Sequence, residues 1–201
     1  MRVPRSSLTP EAVILCAADL ADQMGLSTVS VAAVARSLSV QAPSLYGHVR
    51  DVAALRDGIT VLALNELNER SARALAGRSR RDALRAICDV HRDYARRHPG
   101  RWEALQRRAG ETVVRSSAAA EAGQGLAAVL RGYGIPESDR VHATRLIGAF
   151  LNGFVHLEHI GSFSHSRPDS GSSWDELIGR LHTVLAGWSI TDAKDPSKED
   201  R

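Results

Sequence analysis

The segment from Ser30 to Arg50, SVAAVARSLSVQAPSLYGHVR, carries two short apolar stripes separated by three residues. Ser30 has the chemistry of an N-cap, and Val31, Val34, Ala35 and Leu38 follow at helical spacing. Ser39-Val40-Gln41 reads as a tight turn. Ala42-Pro43 then opens a third short helix, because proline is tolerated in a first turn, and Leu45 and Val49 point inward from it. Upstream, Thr9 caps a helix opened by Pro10-Glu11, with Val13, Cys16, Ala17, Leu20 and Met24 on one stripe and Gly25 as its stop. Leu26-Ser27-Thr28-Val29 connects the two. Three helices within fifty residues, the last two joined by three residues, predict a helix-turn-helix.

Working outward, the period stays helical. A long helix runs from Leu55 to about Ala76, a second from Arg80 to Arg97, and a short piece from Trp102 to Leu105. An Ala-rich helix spans Val113 to Leu130, another Pro136 to Ile160, and a last one Trp174 to Trp188 after a polar loop from Ser162 to Ser173. No alternating strand pattern and no internal repeat is present. The expectation is an all-α protein of about nine helices: a three-helix helix-turn-helix head in residues 1–52, a larger helical body in 53–190, and a charged, disordered tail in 191–201. Of 201 residues 43% are hydrophobic and 24% charged, which argues against wholesale disorder. No uncharged run reaches the roughly eighteen apolar residues of a spanning helix, and Asp19 and Asp22 interrupt what would be a leader's apolar segment. Cys16 and Cys88 lie too far apart for a disulfide framework or a Cys-x-x-Cys metal site. The chain is expected to be cytoplasmic, with no membrane partner and no cofactor.

With 26 basic and 23 acidic residues the formal charge is only +3, so the distribution matters more than the total. From Ser30 to Arg50 there are two arginines, Arg36 and Arg50, and no acid. With Leu45 and Val49 inward, the third helix turns Gln41, Ala42, Ser44, Tyr46, Gly47 and His48 outward, with Pro43 at the tip. Gln41 suits a bidentate contact to adenine, Ser44 takes either polarity, and Ala42 and Pro43 offer apolar contact to a thymine methyl. Thr28 and Ser30, at the N-terminus of the second helix, suit phosphate oxygens, with Arg36 and Arg50 adding charge. Singly, each has a plainer role as a cap, a half-buried aromatic or a solvated side chain. Together they point to sequence-specific double-stranded DNA.

The run from Ile14 through Ala17-Ala18, Leu20, Gly25, Ser30, Ala35 and Leu38 to Leu45-Tyr46-x-His48 resembles the DNA-binding domain of TetR-type transcriptional regulators. Tyr94-Ala95-Arg96-Arg97-His98-Pro99-Gly100, with Gly153-Phe154-Val155-x-Leu157-Glu158-x-x-Gly161-x-Phe163, is similar to the C-terminal domain of the WHG-type subgroup. The resemblance implies a homodimeric, ligand-responsive regulator, most often a repressor, and makes Tyr46 and His48 phosphate clamps. Four positions depart from the pattern. Ser39 stands at the turn position usually held by glycine, which in a left-handed conformation costs roughly 1–2 kcal/mol. Gly47 replaces a large or basic residue, Val52 a basic one, and Asn152 a frequent histidine.

The helix from Pro136 to Ile160 is apolar on two sides, one carrying Leu146, Gly153, Leu157 and Ile160. The last helix carries Leu177, Leu181, Val184 and Trp188 on one line. Two stripes suggest two partners, although both helices packing within the monomer accounts for them equally; the resemblance favours pairing both with their symmetry mates in an isologous interface. Two heads on a twofold axis predict a palindromic operator. For a small, mostly apolar effector, the expected lining is Leu62, Ile87, His91, Tyr94, Trp102, Phe150, Asn152, Phe154 and Glu158. His156 and His159 with His165 form a conceivable metal set, without a third ligand at convincing spacing. Gly123-x-Gly125 follows no strand, so it is no dinucleotide loop. No motif for an enzyme is found. The other open reading is a ligand-binding or scaffold protein with a degenerate head.

Overall fold

The computed structural model describes residues 8–188, and within them every regular element is a helix. The order is α1 (Pro10–Met24), a 3-10 turn (Leu26–Thr28), α2 (Val31–Ser37), α3 (Ala42–Leu45), α4 (Val52–Leu75), α5 (Arg80–Arg97), α6 (Pro99–Leu105), α7 (Glu111–Val114), α8 (Ser117–Gly132), α9 (Glu137–His159) and α10 (Ser170–Ala186). The expected all-α class holds, with ten α-helices rather than about nine. The extra one arises where one Ala-rich helix was expected from Val113. Ser116 donates its hydroxyl to the Val113 carbonyl (2.7 Å) and accepts from the Ala119 N–H (3.2 Å), so it closes α7 and caps α8. Similarly, α10 begins inside the expected loop because Asp169 accepts from the Ser172 N–H at 2.9 Å. Asp51 does the same for α4 through the Ala54 N–H at 2.8 Å, starting it three residues ahead of Leu55. The expected tail, 191–201, lies outside the described residues.

Contacts group the chain into two units: residues up to Arg73 with Asp89–Gln124, and Ala74–Cys88 with residues from Gly125 on. The first is built around Val13, Ala17, Ala18 and Ala21 of α1, Val34 and Ala35 of α2, Leu45, and Leu55 and Ile59 of α4. Helix α6 lies directly against α1 through Gly100. A Cβ there would stand 2.1 Å from the Ala21 carbonyl carbon, so only glycine permits this approach.

Around that crossing sits a partly buried ionic network centred on the buried Arg101. The Arg101 guanidinium reaches Asp19 (2.5 Å), Asp22 (3.2 Å) and Glu66 (3.1 Å), and its backbone N–H donates to Asp22 (2.9 Å). Tyr94 donates its hydroxyl to Glu66 at 2.7 Å, and His98 Nδ1 lies 3.1 Å from Asp22. Burial and the Glu66 carboxylate hold the Tyr94 hydroxyl above its ordinary pKa. The network ties α1, α4, α5 and α6 together, which matters because a buried guanidinium is tolerated only when paired.

The second unit packs Ile147, Leu151 and Phe154 of α9 against Trp174, Ile178, Leu181 and Leu185 of α10, with Leu84, Ile87 and Cys88 of α5 and Leu130 of α8 completing the core. Phe150 stacks on Trp174 (5.4 Å between centroids), and Phe154 packs on both Trp174 and Phe163 at 5.0 Å. The Tyr133 hydroxyl lies 2.7 Å from His182 Nδ1, and burial pushes its pKa up to about 12. No helix among the described residues is long and apolar enough to cross a membrane.

Candidate nucleic-acid interface

The candidate face begins at Ser30, an extended residue (φ −142°) whose hydroxyl oxygen accepts from the Ala33 N–H at 3.2 Å and starts α2. At the other end Ser39 is left-handed, with φ 56°. Its N–H donates to the Arg36 carbonyl (3.1 Å) and the Val40 N–H to that of Ala35 (3.0 Å), the two bonds of a Schellman turn. The serine therefore adopts the glycine-like conformation and the turn stays intact. Gln41, extended, leads into α3 with Pro43 in its first turn.

Helix α3 is short. Regular helix ends at Leu45, and one looser turn follows through Tyr46, Gly47 and His48, whose backbone still bonds His48 N–H and Val49 N–H to the Leu45 carbonyl, both at 2.9 Å. Gly47, a poor helix former, stands where the helix loosens. Leu45 (0% exposed) and Val49 (7%) anchor the rod in the core, whereas Tyr46 is 60% exposed. Of the expected outward set, Gln41, Pro43, Ser44, Tyr46 and Gly47 are exposed, while Ala42 and His48 are partly covered.

Partners separate these side chains further. Arg36, Gln41, Ser44 and Tyr46 make no side-chain hydrogen bond or ion pair among the described residues, so their donors are available. Ser30 uses its oxygen as an acceptor and keeps its hydrogen. Thr28 differs: its hydroxyl donates to the Gly25 carbonyl at 2.8 Å, and its N–H is bonded to the same carbonyl. A phosphate contact from Thr28 would have to break an internal bond. Arg50 is exposed and pairs with Asp51 at 2.9 Å.

Of the nine residues expected around an effector, Leu62, His91, Tyr94 and Trp102 belong to the first unit and Ile87, Phe150, Asn152, Phe154 and Glu158 to the second. Tyr94 is fully buried in the ionic network, and Trp102 is buried with its ring edge-on to His91 at 6.2 Å. Ile87 and Phe154 belong to the second unit's core, Phe150 packs against it, and Asn152 is exposed on α9. Leu62 lines a cavity between α1 and α4, and Glu158 lines one formed by the 161–170 loop. Apolar stripes mark burial without naming what is buried against them. Among the described residues no three His, Cys, Asp or Glu side chains are grouped to hold a metal ion, and His156 and His159 are both exposed.

Sequence reasoning missed Asp51 as the cap of α4, although an aspartate three residues before Ala54 at a helix start was a readable signal. It also missed Arg101, whose carboxylate partners are up to 82 residues distant and leave no local trace.

Residues 84–181 match the model of the tetracyclin repressor-like C-terminal domain. An HTH-type transcriptional regulator of Mycobacterium tuberculosis is 30% identical over 178 residues, covering 88% of this chain and 81% of the relative. One from Bacillus subtilis is 31% identical over 192 residues, covering 94% and 97%. Among solved structures, BioQ of Mycobacterium smegmatis has a TM-score of 0.68 at 21% identity, covering 89% of this chain and 98% of that one. Ligand-free ActR of Streptomyces coelicolor has a TM-score of 0.71 at 16% identity, covering 92% and 97%. The BioQ fold has also been solved with its double-stranded DNA operator, with a TM-score of 0.63 at 19% identity over 90% of this chain and 99% of that one. With relatives matched over most of its length and an intact helix-turn-helix at its head, the chain belongs to the TetR family of DNA-binding transcriptional regulators.

Proposed function

We propose that the protein is a repressor that binds a palindromic operator as a homodimer and leaves it when a small, mostly apolar effector binds. In this reading residues 1–52 read DNA, and residues 53–190 dimerise and sense the ligand, in the cytoplasm. The observation that carries it is the α2–α3 face: donors on Arg36, Gln41, Ser44 and Tyr46 without internal partners, on a rod anchored by buried Leu45. An acid-free face of unspent donors suits phosphates and base edges. Gln41, Ala42, Pro43 and Ser44 would face bases, while Ser30, Arg36, Tyr46, His48 and Arg50 hold the backbone.

Dimerisation is supported by apolar side chains left in solvent on the second unit. Leu146 and Leu157 of α9, Ile160 at its C-terminal cap, and Leu177 and Val184 of α10 are each 38–57% exposed. Gly153 is exposed on α9, and a side chain there would point into open space. Leu181 is 7% exposed in its own core, and Trp188 donates to Asp139 at 3.1 Å, so these two shape the face from beneath. Exposed apolar side chains on adjoining helices fit an isologous four-helix contact.

For the effector, the first unit offers a cavity of about 420 Å³ lined by Thr60, Leu64, Leu105, Arg107, Ala109, Val113, Val114, Ala119, Ala120 and Ala122. Its mostly aliphatic lining suits an apolar ligand. Ser39, in an intact turn, counts against a degenerate head.

Selection of bound fragments from a random DNA pool tests the reading. A twofold-symmetric site with half-sites about one helical turn apart is expected, with binding that weakens steeply as salt rises. Recovery of no enriched sequence would refute it.

A further inference from the structure

A second cavity lies within the first unit, between α1 and α4. It measures about 510 Å³ and is lined from α1 by Pro10, Glu11 and Ile14 and from α4 by Ala54, Asp57, Gly58, Val61, Leu62 and Asn65, together with Arg50 and Thr112. The α4 positions recur at three and four residues, so they form one face of that helix. The volume falls within the range of small-molecule sites.

The charged groups differ in how far they are satisfied. Arg50 is matched by Asp51 at 2.9 Å. Glu11 stays ionised: its own backbone N–H and the Thr9 hydroxyl hold it below the ordinary carboxylate range, and the His48 ring lies within electrostatic reach. Asp57 is half-buried and makes no hydrogen bond or ion pair among the described residues. It is also hemmed in: a Cβ on Gly110 would stand 2.5 Å from its Oδ2. A partly desolvated carboxylate without a partner is costly, and a cation relieves that cost. Next to it Ile14, Val61 and Leu62 form an apolar wall, pinned where Ile14 meets Gly58 so closely that a Cβ there would be 2.2 Å from Ile14 Cδ1.

We infer that this cavity is a binding site for an amphipathic organic monocation, its ammonium beside Asp57 and its alkyl chain along Ile14, Val61 and Leu62. An anion would meet two carboxylates, and a neutral ligand would leave Asp57 unpaired. Because α1 and α4 both contribute to the core that seats Leu45, an occupant here would bear on the α3 rod.

Isothermal titration of the full-length protein without DNA, using octyltrimethylammonium, octanoate and octanol as matched probes, tests the site. Saturable binding of the cation at one per chain is expected, with octanol weaker and octanoate absent from this site. Asp57→Asn, nearly isosteric, should weaken the cation by about tenfold or more, since a charge-assisted contact becomes a neutral one. Leu62→Trp, which fills the apolar wall, should abolish it, with circular dichroism confirming the fold of both variants. No saturable binding of the cation, equal affinity in folded Asp57→Asn, or octanoate binding that Leu62→Trp removes would each overturn the inference. The measurement contains no operator, so its outcome and that of the DNA selection are independent.

Discussion

Ser39 sits at φ 56° without the freedom of glycine, and the Schellman bonds of Val40 and Ser39 hold it there. Replacing it by glycine removes the side-chain strain, so Ser39→Gly should raise the unfolding free energy by about 1 kcal/mol in urea denaturation. Ser30 caps α2, and in the proposed function it also presents its hydroxyl to the backbone of DNA; two substitutions separate these roles. Ser30→Ala should cost about 1 kcal/mol of stability through loss of the cap to the Ala33 N–H. Ser30→Asp keeps a cap, so thermal stability should be nearly unchanged, while the added negative charge abolishes the gel shift of a selected operator. If Ser30→Asp binds DNA as well as the parent, the hydroxyl does not face a phosphate. At this scale the capping serine, the left-handed turn position and most of the outward side chains were legible, because each depends on neighbours within four residues.

Among elements, the crossing of α6 over α1 is the most exacting. A methyl at position 100 would enter the Ala21 backbone, which cannot move as a side-chain tip can. Gly100→Ala should therefore displace α6 and cost about 3 kcal/mol in chemical denaturation. The same displacement would disturb Arg101, which follows directly and reaches carboxylates on α1 and α4. Helix starts give a second prediction. Asp51 and Asp169 cap α4 and α10, and the N–H groups of Ala54 and Ser172 hold both carboxyls below their ordinary value. A carboxyl with a lowered folded pKa stabilises fully above its unfolded value, near 3.9, and loses that contribution as pH falls through the folded one. Melting temperature should thus fall below about pH 4, and Asp51→Asn with Asp169→Asn should make that fall shallower. These caps explain why boundaries shifted from those expected: periodicity locates a helix's middle, whereas a single side-chain hydrogen bond decides its first residue.

For the molecule as a whole, the proposed dimer turns on the exposed apolar face of α9 and α10. Leu157→Glu and Leu177→Glu alter side chains that are 40% and 41% exposed, so each should fold as the parent does. Both are expected to give monomers by light scattering at micromolar concentration and to lose operator binding; a dimer persisting in the double variant would place the interface elsewhere. The class of fold was determined by sequence alone, since helical periodicity and caps are written within a few turns of chain. Tertiary structure alone decided that Tyr94 would meet Glu66, that Arg101 would join Asp19 and Asp22, and that Phe150 and Phe154 would pack on Trp174. It also decided that unpaired Asp57 would border a cavity against α1. The physical reason is that an apolar or charged side chain states only its need for cover or a counter-charge, and which distant helix supplies it depends on how the helices pack.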